Sequence, residues 1–189
     1  PNVAESFEVN DEATEFTFHL RKGHKWSDGV PFTSADLDFA LNDIAKNPDY
    51  KGERAPNFNW DSMTGEIIDE TTFKVVFAEP NGFFLQQVAW ADNDELTRTP
   101  AHYLKQFHKD HNLDVEALAR ERGEEGWIGM FLRESGLADV NVFYQNSERP
   151  TLDAWSFTVA PGQSTTEAVA ERNPYYFKID PQGTQLPYF

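Results

Sequence analysis

Glu15 to Ile44 reads EFTFHLRKGHKWSDGVPFTSADLDFALNDI. Phe16, Phe18 and Leu20 alternate with Thr17, His19 and Arg21, the period-2 pattern of a strand with one buried face. Ser27-Asp28-Gly29 is a turn signal, because glycine tolerates positive φ and aspartate bonds its own local backbone. Thr33 has the chemistry of a helix N-cap, with Asp36 three residues on as a variant of the capping box. Phe32 before the cap and Leu37 beyond it are placed to form a hydrophobic staple. Leu37, Leu41 and Ile44 continue along one helical face, and Asn47-Pro48 ends the helix.

The same grammar extends to both sides. Glu5 to Val9 reads as a strand, and Asn10-Asp11 turns it into the strand at Phe16 as a hairpin. Glu66–Ile68 and Thr72–Phe77 flank Asp69-Glu70-Thr71 as a second hairpin, with Phe73, Val75 and Phe77 on one face. Phe83 to Trp90 is apolar enough for a short buried helix. Thr99-Pro100 opens another helix, with Thr99 as N-cap and proline at the first helical position. Two more helices are expected, from Asp114 to about Arg122 and from Glu124 to about Ser135, the latter ending at Gly136. Trp127, Met130, Phe131 and Glu134 fall near one face of it. Ala154–Val159 and Thr165–Arg172 are strands joined by Pro161-Gly162-Gln163, and Asp180-Pro181-Gln182-Gly183 is a further turn. The fold class is α+β: β-hairpins with packed helices.

Composition narrows the function. The 189 residues suffice for one domain with a real core or two small subdomains. The net charge of −16 disfavours nucleic acid and anionic membrane as partners, since both repel it. There are no cysteines, so disulfides, thiolate catalysis and thiolate-bound zinc are excluded. No apolar run approaches the ~20 residues that span a membrane. With neither a signal peptide nor an initiating methionine, the chain is expected to start inside a longer gene product.

Phe18, Leu20, Arg21, Gly23, Trp26, Asp28, Gly29, Pro31, Phe32, Thr33 and Asp36 resemble the signature segment of the family 5 extracellular solute-binding proteins of ABC importers, the oligopeptide-, dipeptide- and nickel-binding group. Asn173 to Phe189, NPYYFKIDPQGTQLPYF, resembles a second segment of that family, and Ala101-His102-Tyr103-Leu104 a third. The resemblance implies a lobe fragment of a type II periplasmic-binding-protein-like fold. Residues 1–100 would be a hairpin and helix subdomain, 101–146 a helical insert, and 147–189 strands returning toward a second lobe. It implies the substrate-binding component of an ABC transporter, capturing a peptide or similar small polar solute. That component would work as a monomer with permease subunits as partners, in the periplasm or outside the cell, anchored through a lipoprotein leader if one precedes this chain. A solute-sensing or protein-interaction module on the same fold is the alternative, and a carbohydrate-active enzyme a weaker one.

Site residues follow from the same likeness. Peptide-binding relatives use an aromatic from the loop corresponding to Asp49–Asp61, which here carries Tyr50, Asn57, Phe58 and Trp60. Aromatics in so long a loop are expected to be exposed. Thr151-Leu152-Asp153-Ala154-Trp155 aligns with a glycine-rich segment that enters a returning strand, with Leu152 and Asp153 where glycines are usual and Trp155 where tyrosine is common. Trp155 supplies either an indole wall for a ligand or a core strand residue. Asn59 and Trp90 are weaker lining candidates. His102 and His108 lie six residues apart, about 600° of helical rotation, so they do not share a face as metal-ligand pairs do. They are expected, with His111, to be solvent-exposed. Carboxylate pairs such as Asp92/Asp94 and Glu124/Glu125 are expected to be solvated. Neither a catalytic residue, a metal nor a cofactor is specified.

Overall fold

The computed structural model describes residues 2–50, 60–90, 94–137, 144–164 and 166–187. The chain divides into two compact units. One contains residues up to His24 together with Pro31–Ala101, and the other Lys25–Val30 together with the chain from His102 onward.

The first unit is built on a four-stranded antiparallel sheet. Its strands are β1 (Ala4–Val9), β2 (Glu15–Leu20), β3 (Met63–Asp69) and β4 (Thr72–Phe77), in the order β1-β2-β4-β3. The first turn is closed by backbone bonds and braced by the Asn10 side chain, whose Oδ1 accepts from the Thr14 and Glu15 amides, both at 2.8 Å. Register follows the apolar alternation: Phe16 lies opposite Val75 and Phe18 opposite Phe73. A one-residue slip would turn this apolar face outward. Phe84, from α2 (Phe84–Val88), stacks edge-on against Phe16 and Phe77, each with centroids 4.9 Å away. The rest of that helix is not buried as the sequence led us to expect. Only Phe84 is buried in this five-residue helix, and Phe83 and Trp90, which flank it, are 70% and 61% exposed.

The helix after Thr33 covers the same sheet. It runs as α1 (Ser34–Asp38) and continues through a wider π-helical stretch over Phe39–Ala45. Thr33 Oγ1 accepts from the Ala35 amide at 3.3 Å, and Asp36 Oδ2 accepts from the Thr33 amide at 2.9 Å, which completes the capping box. Leu37, Leu41 and Ile44 are all buried. Gly65 makes their approach possible: a Cβ there would lie 2.9 Å from Leu41 Cδ2 and 2.5 Å from Phe73 Cζ. Asp36 has a second task. Its Oδ1 accepts from the buried Ala101 amide at 3.0 Å, at the start of α3 (Ala101–Leu104). Thr99, expected to cap that helix, instead donates its hydroxyl toward the Glu95 carbonyl at 3.4 Å. A carboxylate is a stronger acceptor for a helix-start amide than a hydroxyl is.

In the second unit, α4 (Val115–Glu121) and α5 (Trp127–Ser135) pack beside a short 3₁₀ turn over Lys105–Phe107. α5 starts three residues later than its sequence pattern indicates, because Gly126 is fully extended. Glu124, outside the helix, pairs with Arg133 and is not simply solvated. Gly136 ends α5 in the left-handed conformation at φ 69°. Trp127, Met130, Phe131 and Glu134 are buried on one face, as their spacing indicates. His108 is a correction: it is 1% exposed, not at the surface, and lies edge-on to Trp127 at 5.0 Å and Phe131 at 5.4 Å. Its position in the turn after Phe107 points it into the helical core rather than along a helix face. The Glu134 carboxylate is held by Arg122 at 2.9 Å and Asn146 at 2.9 Å, so its buried charge is compensated. Burial, and then the Glu134 charge, push the Tyr103 phenol above its usual value, opposed by its hydrogen bond from Asn146. The last hairpin, β5 (Trp155–Val159) with β6 (Val169–Arg172), is antiparallel and shorter than expected at its second strand.

Thr33→Ala should cost about 1 kcal/mol of stability, the usual value of a lost N-cap. Asp36→Ala should cost about 2–3 kcal/mol, because it also leaves the buried Ala101 amide without its acceptor. Equal losses in chemical denaturation would show that the Ala101 bond contributes nothing. His24 supplies a pH test. Burial, and then the Arg21 charge, lower its pKa to about 4 from 6.5. The unfolded chain therefore binds this proton first as pH falls. The contribution of neutral His24 is complete above pH 6.5 and is lost down to about pH 4, amounting to no more than about 3 kcal/mol. Melting midpoints of His24→Phe should fall less steeply than wild type across that window. Parallel curves would rule the effect out.

Candidate functional site

Ser27 and Asn173 lie 146 positions apart in sequence, and both bond the backbone that leads into β5. Ser27 donates its amide to the Thr151 carbonyl at 2.9 Å, and its Oγ accepts from the Thr151 amide at 3.1 Å. Asn173 is 0% exposed. Its Nδ2 donates to the Asp153 carbonyl at 2.9 Å and the Thr151 carbonyl at 3.4 Å. Its amide donates to the Ala154 carbonyl at 2.9 Å, and its Oδ1 accepts from the Tyr175 amide at 2.9 Å. The Thr151–Ala154 backbone is thus satisfied by the backbone and side chains of Ser27 and Asn173.

The turn that presents Ser27 is itself fixed. Gly29 has φ +88°, and a Cβ on it would sit 3.0 Å from the Tyr175 hydroxyl, so both conformation and space require glycine. Asp28 Oδ1 accepts from the Val30 amide at 3.1 Å, and Oδ2 lies 2.7 Å from His102 Nε2. The Ser27 hydroxyl is engaged with Thr151, so this carboxylate–imidazole pair serves the turn.

Thr151, Asp153, Trp155 and Phe157 follow at every second position and line one small cavity of about 30 Å³, together with Tyr144 and Arg149. Leu152, between them, is buried and does not line it. Phe157 meets the Tyr144 ring edge-on at 5.9 Å. Arg149 is 9% exposed and donates to the Ser135 carbonyl at the end of α5, where a cation also complements the helix dipole. The cavity admits one or two water-sized groups, far less than the several hundred Å³ of a site enclosing a whole small molecule.

The expected site residues separate. Trp155 is 36% exposed at the cavity. Tyr50 and Trp60 are each 5% exposed, which corrects the expectation that the aromatics of that loop face solvent: both flank the loop at its ends and are drawn into the core. Asn57, Phe58 and Asn59 lie outside the described residues, as does Asp92. Trp90 is exposed beyond α2, in the other unit from Trp155. Asp94 pairs with Arg98 at 3.2 Å. Among the described residues, no group of three or more His, Asp and Glu could hold a metal ion, and no helix is long and apolar enough to cross a membrane. Reading the sequence passed over Tyr144, and it treated Ser27 and Asn173 only as parts of recognisable motifs. Their signal was a polar residue beside a turn, which does not reveal a partner 124 positions from Ser27 or some twenty from Asn173.

Comparison with known proteins bears on this site. The family model for bacterial extracellular solute-binding proteins, family 5 Middle, matches residues 1–188. The periplasmic alpha-galactoside-binding protein of Rhizobium meliloti (strain 1021) is 26% identical over all of this chain and 24% of its own length. The dipeptide-binding protein of Escherichia coli (strain K12) is 24% identical over 92% of this chain and 35% of its own. A solved oligopeptide-binding protein OppA is 36% identical with a TM-score of 0.83, covering 100% of this chain and 28% of that one. The chain thus spans about a quarter to a third of the length of these relatives. Its mixed helix-and-sheet architecture matches the OppA-type periplasmic binding protein fold.

Proposed function

This chain belongs to the family 5 bacterial extracellular solute-binding proteins, and from that premise we propose that it forms part of the substrate-binding component of an ABC importer. The component captures a peptide or similar polar solute outside the cytoplasm and presents it, as a monomer, to permease subunits. The relatives it matches are binding proteins, and those named above from curated sequences are a periplasmic galactoside binder and a dipeptide binder. The observation that carries the reading is the wall formed by Thr151–Phe157. It is an aromatic and polar surface whose leading segment is held by hydrogen bonds to half-buried Ser27 and buried Asn173, with no solute present. Preorganisation of this kind lowers the ordering cost of binding. A cavity of about 30 Å³ can take only part of a solute, so the remaining contacts come from elsewhere in the full-length protein. Trp155 is the principal contact in this wall. Asn57 and Phe58 stay candidate contacts on the family resemblance alone.

The direct experiment is to purify the full-length protein, denature it and identify any released small molecule by mass spectrometry. Recovery of one peptide or polar solute is expected. A protein that retains none, and whose melting midpoint moves with no di- or oligopeptide, would overturn the proposal. With the solute in hand, Trp155→Ala should weaken binding about five- to a hundredfold, the effect of losing ~1–3 kcal/mol of aromatic contact. Trp127→Ala, in the helical core, should lower the melting midpoint and leave affinity near wild type. The reverse pattern in folded variants would move the binding surface away from β5.

A further inference from the structure

The exposed residues lining the cavity beside β5 are Tyr144, Asp153 and Trp155: two aromatic side chains and one carboxylate. Tyr144 is 49% and Trp155 36% exposed. Asp153 lies just before β5 and Trp155 is its first residue, and both line the same cavity. The remaining charged lining residue, Arg149, is nine-tenths buried and donates to the Ser135 carbonyl, so the accessible charge at the mouth is negative. Asp153 is held through its backbone: its amide donates to Thr151 Oγ1 at 3.0 Å, and its carbonyl accepts from Asn173 Nδ2 at 2.9 Å. These bonds fix where the residue stands while its side chain is exposed. The Tyr144 ring is in turn braced edge-on by Phe157.

Aromatic faces attract a cation through their negative quadrupole, and a carboxylate beside them supplies a charged hydrogen-bond acceptor. A neutral hydroxyl or amide would gain the hydrogen bond alone. We propose that this cavity receives an alkylammonium group of the solute, held between Asp153 and the Tyr144 and Trp155 rings. The cavity of about 30 Å³ suits one such head group. The chain's net charge of −16 adds a long-range field that favours cationic over anionic solutes. This inference rests on the solute-binding reading above and narrows it to solutes carrying a primary amine.

The test uses the full-length protein labelled with 5-fluorotryptophan, its Trp155 resonance identified by the Trp155→Phe variant. Trilysine and fully acetylated trilysine, which keeps the length and loses every ammonium charge, are titrated in turn. Trilysine should shift the Trp155 signal at about tenfold lower concentration than the acetylated peptide. Asp153→Asn should abolish that difference with an unchanged melting midpoint, and Asp153→Glu should restore part of it. Equal titrations for the two peptides, no shift with either, or an Asp153→Asn protein that still prefers trilysine would each overturn the ammonium site. The two proposals fail separately. A solute recovered from the denatured protein that moves the Trp155 signal without any preference for ammonium would leave solute binding standing and remove this site. Recovery of no solute, together with an unmoved Trp155 signal, would remove both.

Discussion

One buried amide side chain organises the second unit. Asn173 is wholly removed from solvent, yet every polar atom of its side chain has a partner: two carbonyls for its Nδ2 and the Tyr175 amide for its Oδ1. An asparagine without those partners would be costly to bury, on the order of 1–3 kcal/mol for each unsatisfied group. With them it replaces a strand neighbour. Thr151 to Ala154 runs outside the named strands, but its Thr151, Asp153 and Ala154 carbonyls are each bonded. Ser27 completes the arrangement from a different part of the chain, through a reciprocal pair of bonds to Thr151. The wall that starts at Thr151 and continues into β5 takes its shape from these contacts.

The first unit uses the same device with a carboxylate. Asp36 closes its own helix start through one oxygen and holds the Ala101 amide, 65 residues away, through the other. Each unit thus has a buried polar residue that joins segments remote in sequence. Such residues add geometric definition that apolar packing lacks, because hydrogen bonds are directional and an unmet partner is penalised. For a binding surface this matters more than gross stability. A recognition wall displaced by an ångström loses complementarity long before the fold is lost.

What could be read from the sequence was mostly local. The Thr33 cap, the Asn10 turn, the alternation of Phe73, Val75 and Phe77, the buried stripe of α5 and its Gly136 stop depend on residues within a few positions, and all are present. The long-range contacts were not legible. Nothing near Thr99 says that its helix borrows an acceptor from Asp36, and nothing near Tyr50 or Trp60 says that both are drawn inward. His108 was misjudged because helical periodicity was applied to a residue that lies beyond the helix, in a turn against Trp127 and Phe131. At the candidate site, Trp155 and Asp153 attracted notice as departures from a familiar pattern. Their common cavity with Tyr144 depends on the pairing of Phe157 and Tyr144 across thirteen positions.

The role of Asn173 can be measured directly by amide hydrogen exchange in the full-length protein, comparing wild type with Asn173→Ala. Loss of two side-chain donors to this segment should open it locally, at a cost of about 1–3 kcal/mol, so exchange should speed up about five- to a hundredfold. The expected result is that acceleration at the Ser27, Thr151 and Asp153 amides, with those of β2 and β4 in the first unit unchanged. Exchange at Ser27, Thr151 and Asp153 that stays at the wild-type rate would contradict the clamp, and with it the idea that the Trp155 wall is formed before solute arrives.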